Sequence, residues 1–359
     1  DGFADLIVGA YRADPNGSYS GQSYVVYGGA GLGAELNLST LLAANGGDGS
    51  QGFVLNGVAA NDWSGRSVSS AGDVNGDGFA DLIVGAYRAD PNGTASGQIY
   101  VVYGGAGLGA ELNLSTLLAA NGGDGSQGFV LNGVAANDWS GRSVSSAGDV
   151  NGDGFADLIV GAFLADPNGT DSGQSYVVYG GNFTGAASLL GTAGNDTLTG
   201  TGANETLVGG TGNDTLNGAG GNDVLIGGEG DDVLVYDAAD TLRVDGGLGF
   251  DSLRLSSGNL DLSAISNALL TGIEQIDAQT DTAANTITMG LADVLALSDS
   301  SNRIEVLGGA NDVLNLSGGF VANGTVTGQD GVTTFNLYHV VGTDAEVLVS
   351  QNMNLAVLT

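Results

Sequence analysis

The chain has 359 residues, 40 of them acidic, with seven arginines, no lysine and a formal net charge of -33. That balance argues against a nucleic-acid partner, and carboxylates at this density repel one another unless a counter-charge, most simply a divalent metal, is bound. The absence of cysteine excludes disulfides, thiolate zinc sites and cysteine nucleophiles, and no apolar run reaches membrane-spanning length.

Glycine is abundant, at 66 residues, yet 42% of the chain is hydrophobic, so the glycines punctuate short apolar segments. That pattern predicts an all-β fold of many short strands and tight turns. The segment DGFADLIVGA occurs at 1–10, 77–86 and 153–162, a period of 76 residues, and 28–86 is identical to 104–162. One period holds four apolar runs, GRSVSSAG (65–72), DLIVGAY (81–87), GQIYVVYGG (97–105) and GFVLNGVA (128–135). Four strands per unit predict propeller-type blades. LNLSTLLAANG (112–122) reads as a helical turn or two on a connection. Asp1 falls inside the recurring motif, so the sequence reads as a fragment holding fewer than three blades, a partial set whose missing members are expected upstream or from another copy.

DVNGDGFAD (73–81) places side-chain oxygens at positions 1, 3, 5 and 9 of a tight loop, from Asp73, Asn75, Asp77 and Asp81. Gly76 and Gly78 allow sharp turns, and the Phe79 carbonyl can fill position 7. Calcium takes six to eight such oxygens, and three carboxylates this close would repel without a cation. The loop recurs as Asp149, Asn151, Asp153, Phe155 and Asp157, and its second half as Asp1 and Asp5. Over residues 1–182 these units resemble the FG-GAP repeats of integrin α-subunit propellers, which implies calcium in the loop between the first two strands of a blade. The family's Phe-Gly is Ser64-Gly65 and Ser140-Gly141 here, preceded by Trp63 and Trp139, and its Gly-Ala-Pro is Gly85-Ala86-Tyr87 and Gly161-Ala162-Phe163.

From Gly191 the period shortens to nine: GTAGNDTLT, GTGANETLV, GGTGNDTLN, GAGGNDVLI and GGEGDDVLV, then after a looser turn GGLGFDSLR (246–254). These fit GGxGxDxUx and resemble the RTX, or haemolysin-type, calcium repeats. The resemblance implies a parallel calcium β-roll over 183–254 with two units per 18-residue coil. Same-side acids then fall at Asp196, Asp214 and Asp232, with Asp251 following after 19 residues, and on the other side at Glu205 and Asp223. Calcium is expected between successive coils, held by these carboxylates and glycine carbonyls, with Leu198, Leu207, Leu216, Leu225 and Leu234 pointing inward. Glu205, in GANE, departs from the family's Asp.

Residues 255–359 read as a β-rich cap with fading strand signals, including ANTITMGLADVLAL and a hairpin-like GVTTFNLYHVVGTDAEVLVS. The region resembles the C-terminal part of large type I secreted bacterial proteins, which implies an export signal and release from a Gram-negative cell. No catalytic residues are assigned. The one histidine, His339, sits in an apolar alternation, no GxSxG elbow is present, and the glycine-rich GGAGLGA at 28–34 recurs at 104–110 inside an all-β period, unlike a Rossmann loop. Trp63, Trp139, Arg66 and Arg142 recur with the repeat and read as blade-packing residues. The expected function is a calcium-stabilised surface adhesin or extracellular matrix or filament subunit, with self-association or a cell-surface ligand. The alternative is an export module for an enzyme encoded upstream.

Overall fold

The computed structural model describes residues 4–29, 33–105, 107–256, 258–280, 284–298 and 301–357. It divides into two compact units, one carrying the blades up to Ala186 apart from Gly152–Gly154, the other made of Gly152–Gly154 and the chain from Ala187 onward.

In the first unit, β1 (Leu6–Ala10), β2 (Gln22–Val26) and β3 (Gly52–Asn56) form the first blade; β4 (Ser67–Gly72), β5 (Asp81–Ala86) and β6 (Gln98–Val102) begin the second. After β7 (Glu111–Asn113), β8 (Gly128–Asn132) completes that second blade, and β9 (Ser143–Gly148), β10 (Asp157–Ala162) and β11 (Gln174–Val178) make the third. The second blade is a four-stranded antiparallel meander, with Val84 opposite Tyr100 and Tyr100 opposite Val130. Successive residues of a strand face opposite sides of the sheet, and the blade is apolar on both. Val84, Tyr100 and Val102 join Val25 and Leu55 in one core cluster, whereas Ile83, Ile99 and Val101 join Leu158 and Val160 in another. The second blade therefore uses both of its faces to pack against its neighbours in sequence.

The excursion between β6 and β8 forms the two expected helical turns, both 3-10, at Leu114–Leu117 and Ala119–Asn121. Before them, β7 adds in parallel to the outer edge of β3, where the Val54 amide donates to the Ala110 carbonyl at 2.9 Å. This pairing was not anticipated, because its partner lies in the preceding repeat.

The second unit opens as a parallel roll. One sheet runs β12 (Leu189–Leu190), β14 (Thr206–Thr211), β16 (Val224–Glu229) and β18 (Arg243–Leu248). The other runs β13 (Thr197–Thr199), β15 (Thr215–Asn217), β17 (Val233–Tyr236) and β19 (Ser252–Leu255). Leu198, Leu216, Leu234 and Leu253 stack in register along one sheet, and Leu207, Leu225 and Val244 along the other. Together they fill the interior.

The roll does not stop at residue 254. The second sheet continues in parallel through Gln275–Asp277, Arg303–Leu307 and Glu346–Ser350, and a further parallel sheet forms from Leu260–Asp261, Thr286–Met289, Val313–Leu316 and Asn354–Val357. The expected C-terminal hairpin is Thr334–Val340 against Glu346–Ser350, extended by the antiparallel Phe320–Thr327. One expectation is corrected. Within ANTITMGLADVLAL only Thr286–Met289 is a strand, and Leu291–Leu297 is a helix, α1. Val294 and Leu297 are buried and Leu291 packs beside them, a three-residue spacing that suits a helix rather than a strand. The Asp293 carboxylate accepts from the Gly290 amide at 2.7 Å and closes the first turn.

Candidate calcium site

The roll places one acid per coil in two columns. In the first, the amides of Asp196, Asp214 and Asp232 donate to Oδ1 of Asp214, Asp232 and Asp251 at 2.7, 2.6 and 2.7 Å. In the second, the amide of Glu205 donates to Oδ1 of Asp223 at 2.8 Å. A counter-running ladder comes from the residue before each acid, with the Asn213 and Asn222 amides donating to Oδ1 of Asn195 and Asn204 at 3.0 and 2.9 Å. These two ladders lock the 18-residue register. The asparagines were not singled out from sequence, although the recurring Asn-Asp pair carries them.

With one carboxylate oxygen so occupied, the other is left over. Oδ2 of Asp214, Asp223, Asp232 and Asp251 and Oε2 of Glu205 are buried with no hydrogen-bond partner. A buried anionic oxygen without a partner is costly. Each faces a glycine of its own unit. A Cβ placed on Gly209 would meet Asp214 Oδ2 at 2.4 Å and the Gly227 carbonyl oxygen of the next coil at 2.5 Å, and Gly227 and Gly246 repeat the arrangement with Asp232 and Asp251. Glycine thus keeps open a small oxygen-lined space between a carboxylate and a carbonyl. Oxygen-only donors of this kind suit hard calcium. Asp196, in the first coil, differs in that its Oδ2 accepts from the Thr192 amide and hydroxyl at 2.7 and 2.8 Å. At the departure from the family pattern, Glu205 receives the Thr201 hydroxyl on its Oε1.

Electrostatics agree with this donor set. Burial is the main force raising the carboxyls of Asp214 and Asp223 above the ordinary range, Asp232 to about 6 and Asp251 to about 8, with neighbouring column acids adding to it. The second column also has a member not read from sequence. Asp240, buried and raised to about 6, accepts the Asp223 amide at 2.8 Å. Its other oxygen accepts from the Asp237 amide at 3.1 Å.

The blade loops are built differently. Asp73 Oδ1 accepts from the Gly76 and Asp77 amides at 2.7 and 3.1 Å, and its Oδ2 from Gly78 at 2.9 Å. Asn75 Nδ2 donates to Asp77 Oδ2 at 2.9 Å, and the Phe79 amide donates to Asp77 Oδ1 at 2.9 Å. Asp81 ties the loop to the blade, accepting from the Val74 and Gly104 amides, each at 2.9 Å. Asp157 repeats both bonds with Val150 and Gly180, and Asp5 repeats the second with Gly28. Burial, with Asp73 and Asp77 nearby, raises the Asp81 carboxyl to about 8. In the second loop Phe155 is buried, Asp149 and Asp153 are half-buried and Asn151 is exposed. Asp1 lies outside the described residues. Among the described residues no three acidic or histidine side chains converge on one point; in the roll a coil supplies one carboxylate and the rest is backbone, and in the first blade loop the three carboxylates expected to lie close around a cation, Asp73, Asp77 and Asp81, each turn to backbone amides.

Models of two repeat families match these regions. The FG-GAP repeat matches residues 64–102 and 140–178. The RTX calcium-binding nonapeptide repeat matches 183–204 and 199–234. The chain carries FG-GAP repeats followed by RTX calcium-binding repeats. Integrin alpha pat-2 of Caenorhabditis elegans is 37% identical over 102 residues, 28% of this chain and 7% of the integrin. The chain therefore spans only a small part of that relative. The RTX roll binds calcium, and both repeat types are those of calcium-binding extracellular proteins. The RTX architecture extends beyond the matched residues, since Asp251, Gly246 and the Gly272 carbonyl repeat the same cradle one coil further on.

Proposed function

We propose that this chain is a structural and adhesive segment of a secreted protein, a surface adhesin or a subunit of an extracellular matrix or filament, and that it is not an enzyme. The observation that supports it most is repetition. The oxygen-lined cradles and blade loops come in near-identical copies, whereas catalysis calls for a unique constellation. The cation is held in the roll by Asp214, Asp223, Asp232, Asp251 and Glu205 with glycine carbonyls, and in the blades by the Asp73–Asp81 and Asp149–Asp157 loops. Bound calcium supplies the counter-charge that lets acidic coils stack. Export by a type I system of a Gram-negative bacterium, with the signal in residues 255–359, fits an acidic chain whose fold is stabilised where calcium is plentiful.

The test is electron microscopy and light scattering of the calcium-loaded protein, before and after chelation, together with adhesion of the labelled protein to cells. Assemblies or calcium-dependent adhesion are expected. Discrete monomers that adhere to nothing under either condition would defeat the proposal.

A further inference from the structure

Four of the seven arginines of this strongly acidic chain, Arg12, Arg66, Arg88 and Arg142, lie in the blades against aromatic rings. Tyr11, Trp63, Tyr87, Trp139 and Phe163 follow one another with centroid separations of 5.4, 5.9, 5.1 and 5.6 Å. The guanidiniums stack on this row: Arg66 lies 5.2 Å from the Tyr11 centroid, Arg88 4.3 Å from Trp63 and Arg142 5.2 Å from Tyr87. Among the described residues, ion pairs involve Arg243, Arg254 and Arg303, and none of the four blade arginines. So the blade cations are gathered on one aromatic strip and, among the described residues, form no ion pair, in a chain rich in carboxylates.

Packing alone accounts for Tyr87, which is buried, but not for the rest. Arg12 and Arg66 are exposed, Trp63 and Trp139 are half-buried, and Phe163 is 47% exposed. Both tryptophans also hold φ of 57°, a left-handed conformation unfavourable for a bulky residue, so each indole is placed against its local preference.

We infer that this strip binds an acidic saccharide, whose carboxylate or sulfate groups meet the exposed guanidiniums of Arg12 and Arg66 while its sugar rings run along the open edge of the half-buried rings toward the exposed Phe163. The planar guanidinium fork matches either anion, and an aromatic surface accepts the apolar face of a sugar ring at little conformational cost. Nucleic acid, with one charge per about 1.7 Å of duplex, would meet far stronger repulsion from this chain than a saccharide whose charges are a whole ring apart. The ligand class gives the adhesive function proposed above its target, and rests on that reading.

The experiment titrates the calcium-loaded 359-residue chain by calorimetry with a hyaluronate oligosaccharide, which carries carboxylates, with a sparsely sulfated dextran and with neutral dextran. Binding to one or both acidic saccharides and none to dextran is expected, and the two acidic arms separate carboxylate from sulfate recognition. The exposed-residue variant Arg12→Gln/Arg66→Gln should weaken binding by about ten-fold or more, with its calcium-dependent melting unchanged. Arg66→Lys should retain part of the affinity, since it keeps charge but loses the fork. A folded, calcium-loaded protein that binds neither acidic saccharide, binds dextran equally, or is unaffected by the double substitution would overturn the site while leaving the calcium reading intact. Saccharide binding by a protein indifferent to chelator would leave the site standing and refute the calcium reading instead.

Discussion

A carboxylate buried beside glycine carbonyls can be neutralised by a proton or by a cation, and in the roll the two compete for the same oxygen. Asp251 holds its proton up to about 8, and Asp232 and Asp240 to about 6, whereas the unfolded chain releases these protons near pH 4. Because the folded state binds more protons across that interval, the metal-free fold gains stability as pH falls from about 8 toward 4 and loses it as pH rises through the same window. Chelated protein should therefore melt at a higher temperature at pH 5 than at pH 8, and calcium affinity should rise with pH. A melting temperature that is flat or rises with pH in the chelated protein would contradict this assignment of charge. Asp214→Ala removes both the orphan oxygen and the acceptor of the Asp196 amide. It should reduce the calcium bound per chain, counted by native mass spectrometry, and loosen the coils on both sides. An unchanged count would mean the register of the columns is wrong.

Elements formed from identical sequence but given different neighbours offer a comparison internal to the chain. Leu114 is fully buried in the cluster that holds Phe53 and Leu55 of β3, whereas its counterpart Leu38 is only half-buried in a smaller cluster. Leu114→Ala should cost about 2–4 kcal/mol of stability and Leu38→Ala clearly less, as read from denaturant unfolding; equal losses would mean that β7 and its helical turns do not clasp the preceding blade. This element also marks where the sequence stops being legible. The blade strands and the 18-residue columns follow from local spacing, so Asp214, Asp232 and Leu216 could be placed by counting. The β3–β7 pairing joins two repeats through edge hydrogen bonds that leave no local pattern. Asp240 escaped because the looser turn puts it 17 residues after Asp223 rather than 18, and α1 because its seven residues are too few to separate helix from strand by apolar content alone.

For the whole molecule the governing quantity is the 40 carboxylates set against seven arginines, a net charge of -33. Among the described residues no helix is long and apolar enough to cross a membrane, and the sheets of the second unit stack leucines on one side of the backbone while exposing acids and glycine carbonyls to a cation on the other. The apolar interior favours the coil, and the unpartnered carboxylates oppose it until calcium is bound, so metal binding contributes directly to folding. Blades and roll respond differently on this view. Asp81 and Asp157 already accept two backbone amides each, whereas the roll's leftover oxygens have only the cation. The most direct measurement is far-ultraviolet circular dichroism of the chelated chain during a calcium titration, followed by thermal melting at each step. β-Signal that grows with calcium, together with a melting temperature that climbs with its concentration, is the predicted result; a chelated protein whose spectrum and melting temperature match those of the calcium-loaded one would contradict it.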